Sequence, residues 1–172
     1  MISRRSVFAL LVSAVVGSLI PFRRVSAVPP PAAAQSPPAG ASAAIPATAV
    51  MEPEEFARVL RSKSPEEPMI FQVGFRFLYK EGHIPGAEYL GPSSKDDGLR
   101  QLRERVASVQ KTRTIVLYCG CCPWSKCPNI KPAYEALRGM GFTQVRVLHI
   151  DENFGTNWVL KGYPTVKGDS AR

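Results

Sequence analysis

Thr114-Ile115-Val116-Leu117-Tyr118 is an unbroken β-branched and apolar run. A strand with one wet face alternates apolar with polar residues. A continuous apolar run instead fits a strand covered on both faces, as at the centre of a parallel sheet. A chain built on such a strand needs helices above and below it. The flanking sequence supplies them, because strand and helix signals alternate from residue 51 onward. Glu52-Pro53-Glu54-Glu55 places acids and a proline in the first turn of a helix over 53–62, with Phe56, Val59 and Leu60 as its apolar face. Pro65 and Pro68 punctuate the chain, and Met69 to Val73 reads as a buried strand. Gly82 to Ala87 reads as a loop, followed by a short strand over 88–90. Ser93 or Ser94 can cap a helix running to about 109, with Leu99, Leu102, Val106 and Val109 on one side. Pro128 opens a further helix, which Gly139 and Gly141 close. Gln144 to Ile150 is a strand, and a short helical segment near 155–161 ends at Gly162, with Pro164 just beyond. Strands separated by helices predict an α/β fold with a mainly parallel sheet covered on both faces.

The first fifty residues are of another kind. Residues 1–27 read as an export signal, with Ser3-Arg4-Arg5 at its start, a weakly apolar stretch from Val7 to Ile20, and Val25-Ser26-Ala27 as a cleavage site. The arginine pair resembles a twin-arginine signal. An uncleaved membrane anchor is the alternative, but the apolar run is short for a spanning helix. The expected location is therefore periplasmic or otherwise exported, with no stable membrane span after cleavage. Residues 28–50 contain nine Ala and six Pro and no charge, the composition of a semi-extended linker. The domain proper is expected at residues 51–172.

This division changes the meaning of the charge. The whole chain carries 22 basic and 14 acidic residues, a formal charge of +8. Four of the arginines lie in the first 27 residues, which leaves 18 basic against 14 acidic residues, or +4. That is an ordinary value with no basic stripe, so nucleic acid is not an expected partner.

The chemistry is concentrated in Cys119-Gly120-Cys121-Cys122-Pro123-Trp124-Ser125-Lys126-Cys127. Four thiols within nine residues close only short loops, so they do not make a disulfide scaffold. They lie where open α/β sheets bind ligands, beyond the carboxyl end of a strand. The loop runs into a helix N-terminus, which favours an anion, and Lys126 adds a positive charge nearby. Cys119 is the candidate nucleophile, a thiolate in a cradle able to hold added sulfur. Cys121, Cys122 and Cys127 are candidate resolving or accessory thiols, which could convert a persulfide or sulfenate on Cys119 into a disulfide. Gly120, Trp124, Ser125 and Lys126 complete a candidate substrate-binding loop. Trp124 either walls the pocket or packs the loop against the domain. Four thiolates can in principle hold zinc or an iron–sulfur cluster, and softer Cu(I) can take two or three of them. Because all come from one short loop without paired two-residue knuckles, no metal or other cofactor is assigned. His83 and His149 read as structural, and Glu52, Glu54 and Glu55 as helix N-terminal charges.

In this setting Gly82-His83-Ile84-Pro85-Gly86-Ala87 resembles the HIPGA segment of rhodanese domains, and the Tyr118-Cys119 junction resembles the start of their active-site loop. Gly141-Phe142, Val145, Val147-Leu148, Trp158 and Gly162-Tyr163-Pro164 resemble the closing segments of that family. The likeness spans roughly residues 51–166. It implies a rhodanese-like α/β sheet of about five strands and sulfurtransferase chemistry, with Cys119 carrying a persulfide. The implied partners are a small sulfur donor and a thiol or cyanide-like acceptor, which includes a protein thiol. Two departures accompany the likeness. The family's six-residue loop begins with Cys and ends with Arg before Ser or Thr, whereas the sixth position here is Trp124, followed by Ser125. Where many members show an Asp and then an Arg after the first strand, this chain has Gln72 and Gly74. Besides sulfur transfer, a thiol–disulfide redox domain, a catalytically silent binding domain and a metal–thiolate module remain open.

Overall fold

The structure is a computed structural model, and it describes residues 44–62 and 67–169. The expected export signal, most of the expected linker and the punctuation at Pro65 lie outside the described residues. Among the described residues no helix is long and apolar enough to cross a membrane.

Five strands, β1 (Val50–Met51), β2 (Met69–Gln72), β3 (Ala87–Tyr89), β4 (Ile115–Tyr118) and β5 (Val145–Leu148), form one sheet in the order β1-β5-β4-β2-β3. Every pairing is parallel. The apolar run over 115–118 is the central strand, β4, hydrogen-bonded to β2 on one side and β5 on the other. All four of its residues are buried. Its pleat divides the protein into two cores. Ile115 and Leu117 face a layer made by α3 (Asp96–Arg105) and α4 (Ile130–Gly139), where Leu102, Ile130, Ala133 and Leu137 meet Phe71 and Val147. Val116 and Tyr118 face the other layer, where Phe56 and Ala57 of α1 (Pro53–Arg61), Tyr79 of α2 (Arg76–Glu81) and Trp158 pack. The α/β sheet with helices on both faces is thus the observed architecture.

Several boundaries differ from the sequence reading, each for a local reason. The strand β1 and a 3-10 turn at Ala47–Ala49 occupy the end of the Pro/Ala-rich stretch, and Ala49 is buried. Two residues suffice for β1 because Val50 and Met51 register against Val147 and Leu148. Helix α2 lies between 73 and 82, and Tyr79 is the one buried residue within it, so its six residues carry no apolar period. Helix α3 is not capped by Ser93 or Ser94. The Ser93 N–H donates to the Val73 carbonyl at 3.0 Å, and the Ser94 N–H to Asn129 Oδ1 at 3.0 Å. The helix therefore begins after Lys95 and ends at Arg105, short of 109. Helix α4 starts at Ile130 rather than Pro128. The segment at Gly155–Val159 is one wide π-helical turn.

The interleaving of both cores on β4 gives a stability prediction. Leu117 is fully buried at the centre of the sheet, so Leu117→Ala should lower the unfolding free energy by about 2–5 kcal/mol. Denaturant unfolding measures this, and a loss below about 1 kcal/mol would contradict the packing described.

Candidate functional site

Strand β4 ends at Tyr118 and delivers Cys119 to the carboxyl edge of the sheet, 2% exposed. The chain must then leave the sheet with its polar groups still paired. Gln72, buried at the end of β2, donates from Nε2 to the Cys119 carbonyl at 3.3 Å. Its Oε1 accepts from the Gly74 N–H at 3.2 Å. A Cβ on Gly74 would stand 2.8 Å from Cys119 Sγ, so glycine leaves the sulfur its space. Gly120 turns the chain at φ +72°, a conformation side chains rarely adopt. Its carbonyl accepts from the Phe154 N–H at 3.1 Å. The loop is pinned again where the Trp124 N–H donates to the Asp151 carbonyl at 2.9 Å. A 3-10 turn over Trp124–Lys126 then brings Cys127 back beside Cys119.

The four sulfurs form a chain of contacts. Cys119 and Cys121 are 3.2 Å apart, and Cys121 and Cys122 are 3.0 Å apart. The Cys119, Cys121 and Cys127 sulfurs all lie within 4.8 Å of one another. Cys122 stands at the edge, its sulfur 3.8 Å from the Lys126 carbonyl. The sequence reading missed Asn129. This residue is fully buried, and its Nδ2 donates to Cys119 Sγ at 3.4 Å and to Cys121 Sγ at 3.7 Å. Because Oδ1 is held by the Ser94 N–H, the amide is fixed in place. Asn129 is the N-cap residue of α4 but makes no side-chain cap. Its side chain is committed to the sulfurs, and the Cys127 sulfur takes the N–H groups of Asn129 and Ile130 instead.

That exchange decides where negative charge sits. Cys127 is lowered to about 6, first by the hydrogen bond from the Cys119 thiol and, against the cost of burial, by the two backbone N–H groups. Cys119 moves the other way, far above the usual thiol range, because it donates to Cys127 and is desolvated. Burial and its contact with Cys121 push Cys122 up to about 12. One thiolate, on Cys127, is therefore stabilised by a thiol donor and a helix N-terminus.

The remaining candidates separate in space. Cys119, Gly120 and Cys121 open into a cleft of about 340 Å³ lined by Gln72, Phe154 and Val159. Cys127 and Ser125 face a second cleft, with Trp124 and Ile130. Trp124 packs the loop onto the domain, its ring edge-on to His149 at 5.0 Å. Lys126 is exposed, and its carbonyl is the group that meets a sulfur. His83 is fully buried and stacks on Tyr79 at 3.7 Å, while His149 pairs with Glu52 at 2.9 Å.

A family model described as Rhodanese-like domain matches residues 52–150, more than half of the chain. No curated protein matches the sequence. Among solved structures, the solution structure of the rhodanese-like domain of the Alr3790 protein from Anabaena is 23% identical, with a TM-score of 0.52, over 72% of this chain and 83% of that one. A crystal structure of the Alr3790 protein is 24% identical, with a TM-score of 0.53, over 68% and 82%. The crystal structure of YnjE is similar over 70% of this chain and 31% of that one, at 19% identity and a TM-score of 0.53. These likenesses show the shared fold.

The position of the charge is open to measurement. The folded-state value for Cys127 lies below the unfolded one of about 8.5, so its thiolate stabilises the fold above that pH and loses this effect as pH falls through about 6. Alkylation by iodoacetamide should label Cys127 first, with a rate midpoint near pH 6. Labelling that begins only near the ordinary thiol value of about 8.5 would contradict this assignment.

Proposed function

This chain belongs to the rhodanese-like domain family, and from that membership we propose that it transfers sulfane sulfur through a persulfide on Cys119. The observation that carries the reading is the pairing of Cys119 with a neighbouring thiolate. Cys119 sits at the strand end facing the cleft, with the Cys127 sulfur within 4.8 Å as the proposed proton acceptor. A small sulfur donor enters the cleft beside Gln72 and Phe154. The Cys119 proton moves to the Cys127 sulfur, and the Cys119 sulfur attacks the donor's terminal sulfur. The donor's sulfur–sulfur bond breaks, and the donor leaves as an anion, sulfite from thiosulfate or a thiolate from a persulfide. The Asn129 amide, already aimed at the Cys119 sulfur, supports the new persulfide anion. An acceptor thiolate then takes the outer sulfur, and Cys119 recovers its proton from Cys127.

A loop arginine is not required for these steps. Trp124 occupies the position where the family pattern places one, and backbone N–H groups with a buried amide stand in for the guanidinium. With fewer fixed positive charges, a persulfide or polysulfide suits the site better than doubly charged thiosulfate. The export reading of residues 1–27 would place this activity in an oxidising compartment. A second reading, thiol–disulfide exchange, is favoured by the 3.2 Å separation of Cys119 and Cys121. In it, an accessory thiolate attacks the inner sulfur of the persulfide and releases hydrosulfide as the disulfide forms.

Mass spectrometry separates these readings. Incubation with glutathione persulfide or polysulfide should add 32 Da, the mass of one sulfur atom, at Cys119, and Cys119→Ser should abolish that addition. Persulfide undiminished in the variant would overturn the assignment. Loss of two hydrogens without added sulfur would favour the disulfide reading.

A further inference from the structure

Three sulfurs from one loop converge at the strand end, Cys119 within the core and Cys121 and Cys127 packed against it. Gly120 turns the chain at the strand end, and the 3-10 turn over Trp124–Lys126 returns it, so Cys119, Cys121 and Cys127 all come within 4.8 Å of one another. We propose that these three cysteines form a trigonal thiolate site for Cu(I). Metal–thiolate bonds of about 2.3 Å place three sulfurs in a plane around one ion at about 4 Å from each other. The free cluster is thus close to the spacing that the bound form needs.

The donor set selects the ion. All three ligands are soft sulfur, which favours Cu(I) over harder cations. Structural zinc takes four ligands in a tetrahedron. Cys122 is the nearest fourth thiol, 3.0 Å from Cys121 and also interacting with Cys127, but it lies outside the mutually close set and faces the Lys126 carbonyl. Among the described residues, three sulfurs form the complete set. The surroundings are also those of a metal site. The Asn129 amide donates to both Cys119 and Cys121, and the Ser94 N–H fixes its orientation. Outer partners of this kind hold ligands in position. The spacing along the sequence lacks paired knuckles, so the site becomes visible only once the loop is folded. Its function goes beyond sulfur transfer: an ion bound there occupies Cys119 and closes it to a sulfur donor.

The test uses the full chain, fully reduced, without oxygen and without any sulfur donor. Cu(I) is titrated in competition with a chromophoric Cu(I) chelator. The protein should withdraw one equivalent and develop thiolate-to-metal absorption in the ultraviolet. Asn129→Ala should weaken binding by roughly 10–100-fold, and Cys121→Ser and Cys127→Ser by more than that. Cys122→Ser should leave the affinity unchanged. Circular dichroism identifies any variant that does not fold, and the two half-exposed cysteines decide the matter if the buried Cys119→Ser variant fails. Copper left wholly on the chelator would overturn the proposal. Equal loss in Cys122→Ser, or displacement of copper by equimolar zinc, would do so too. Because no donor is present, either result leaves the persulfide assignment to its own experiment.

Discussion

The end of β4 is the constraint on which the rest of this structure depends. A strand buried on both faces has no solvent to satisfy the backbone where it stops. Each polar group beyond Tyr118 must therefore find a protein partner at once. Gln72 supplies the donor for the Cys119 carbonyl, Phe154 for the Gly120 carbonyl, and Asp151 the acceptor for the Trp124 N–H. These three bonds come from β2 and from the segment after β5, so both neighbours of the central strand hold the loop. Rigid placement of four thiols follows from satisfying the backbone, with no disulfide needed to order them.

The second consequence is electrostatic. A helix that begins just after the loop offers N–H groups, and its own cap residue, Asn129, declines to fill them because its amide faces two sulfurs. Cys127 takes that role and with it the negative charge. Cys119 becomes the protonated partner, buried with its sulfur within 4.8 Å of the Cys127 thiolate. In the proposed mechanism, nucleophile and base are thus two cysteines, eight positions apart in sequence, whose sulfurs lie within 4.8 Å of each other. The site holds its charge without an arginine, which explains how the loop can depart from the family pattern and remain chemically coherent.

Much of this was legible from residue pattern alone. The run at 114–118 identified the central strand because full burial on two faces removes alternation. The helix over Pro53–Arg61 was legible from its acids, proline and apolar period. Thiols behind the strand pointed to the site because ligands collect at strand ends. What escaped was set by tertiary contacts. The two residues of β1 are a strand only because β5 lies beside them. Helix α2 has a single buried position and so no period to detect. Asn129 behind Pro128 reads as an ordinary helix-cap residue, and its turn toward the sulfurs depends on Ser94, 35 positions away. Gln72 and Gly74 stood out as departures from a family pattern, yet their role in holding Cys119 appears only when β2 and β4 are paired. Lys126 was the natural choice for the thiolate's partner by sequence proximity, whereas backbone N–H groups do that work.

The central claim is that Cys127, as a thiolate, is the base for Cys119. The pH dependence of persulfide formation at Cys119 in the wild type and in Cys127→Ser tests it most directly. In the wild type the rate should fall as pH drops through about 6, where Cys127 becomes protonated. In Cys127→Ser that limb should vanish, and the rate should instead follow ionisation of Cys119 itself, which burial keeps above the usual thiol range. Superimposable profiles for the two proteins would contradict the account.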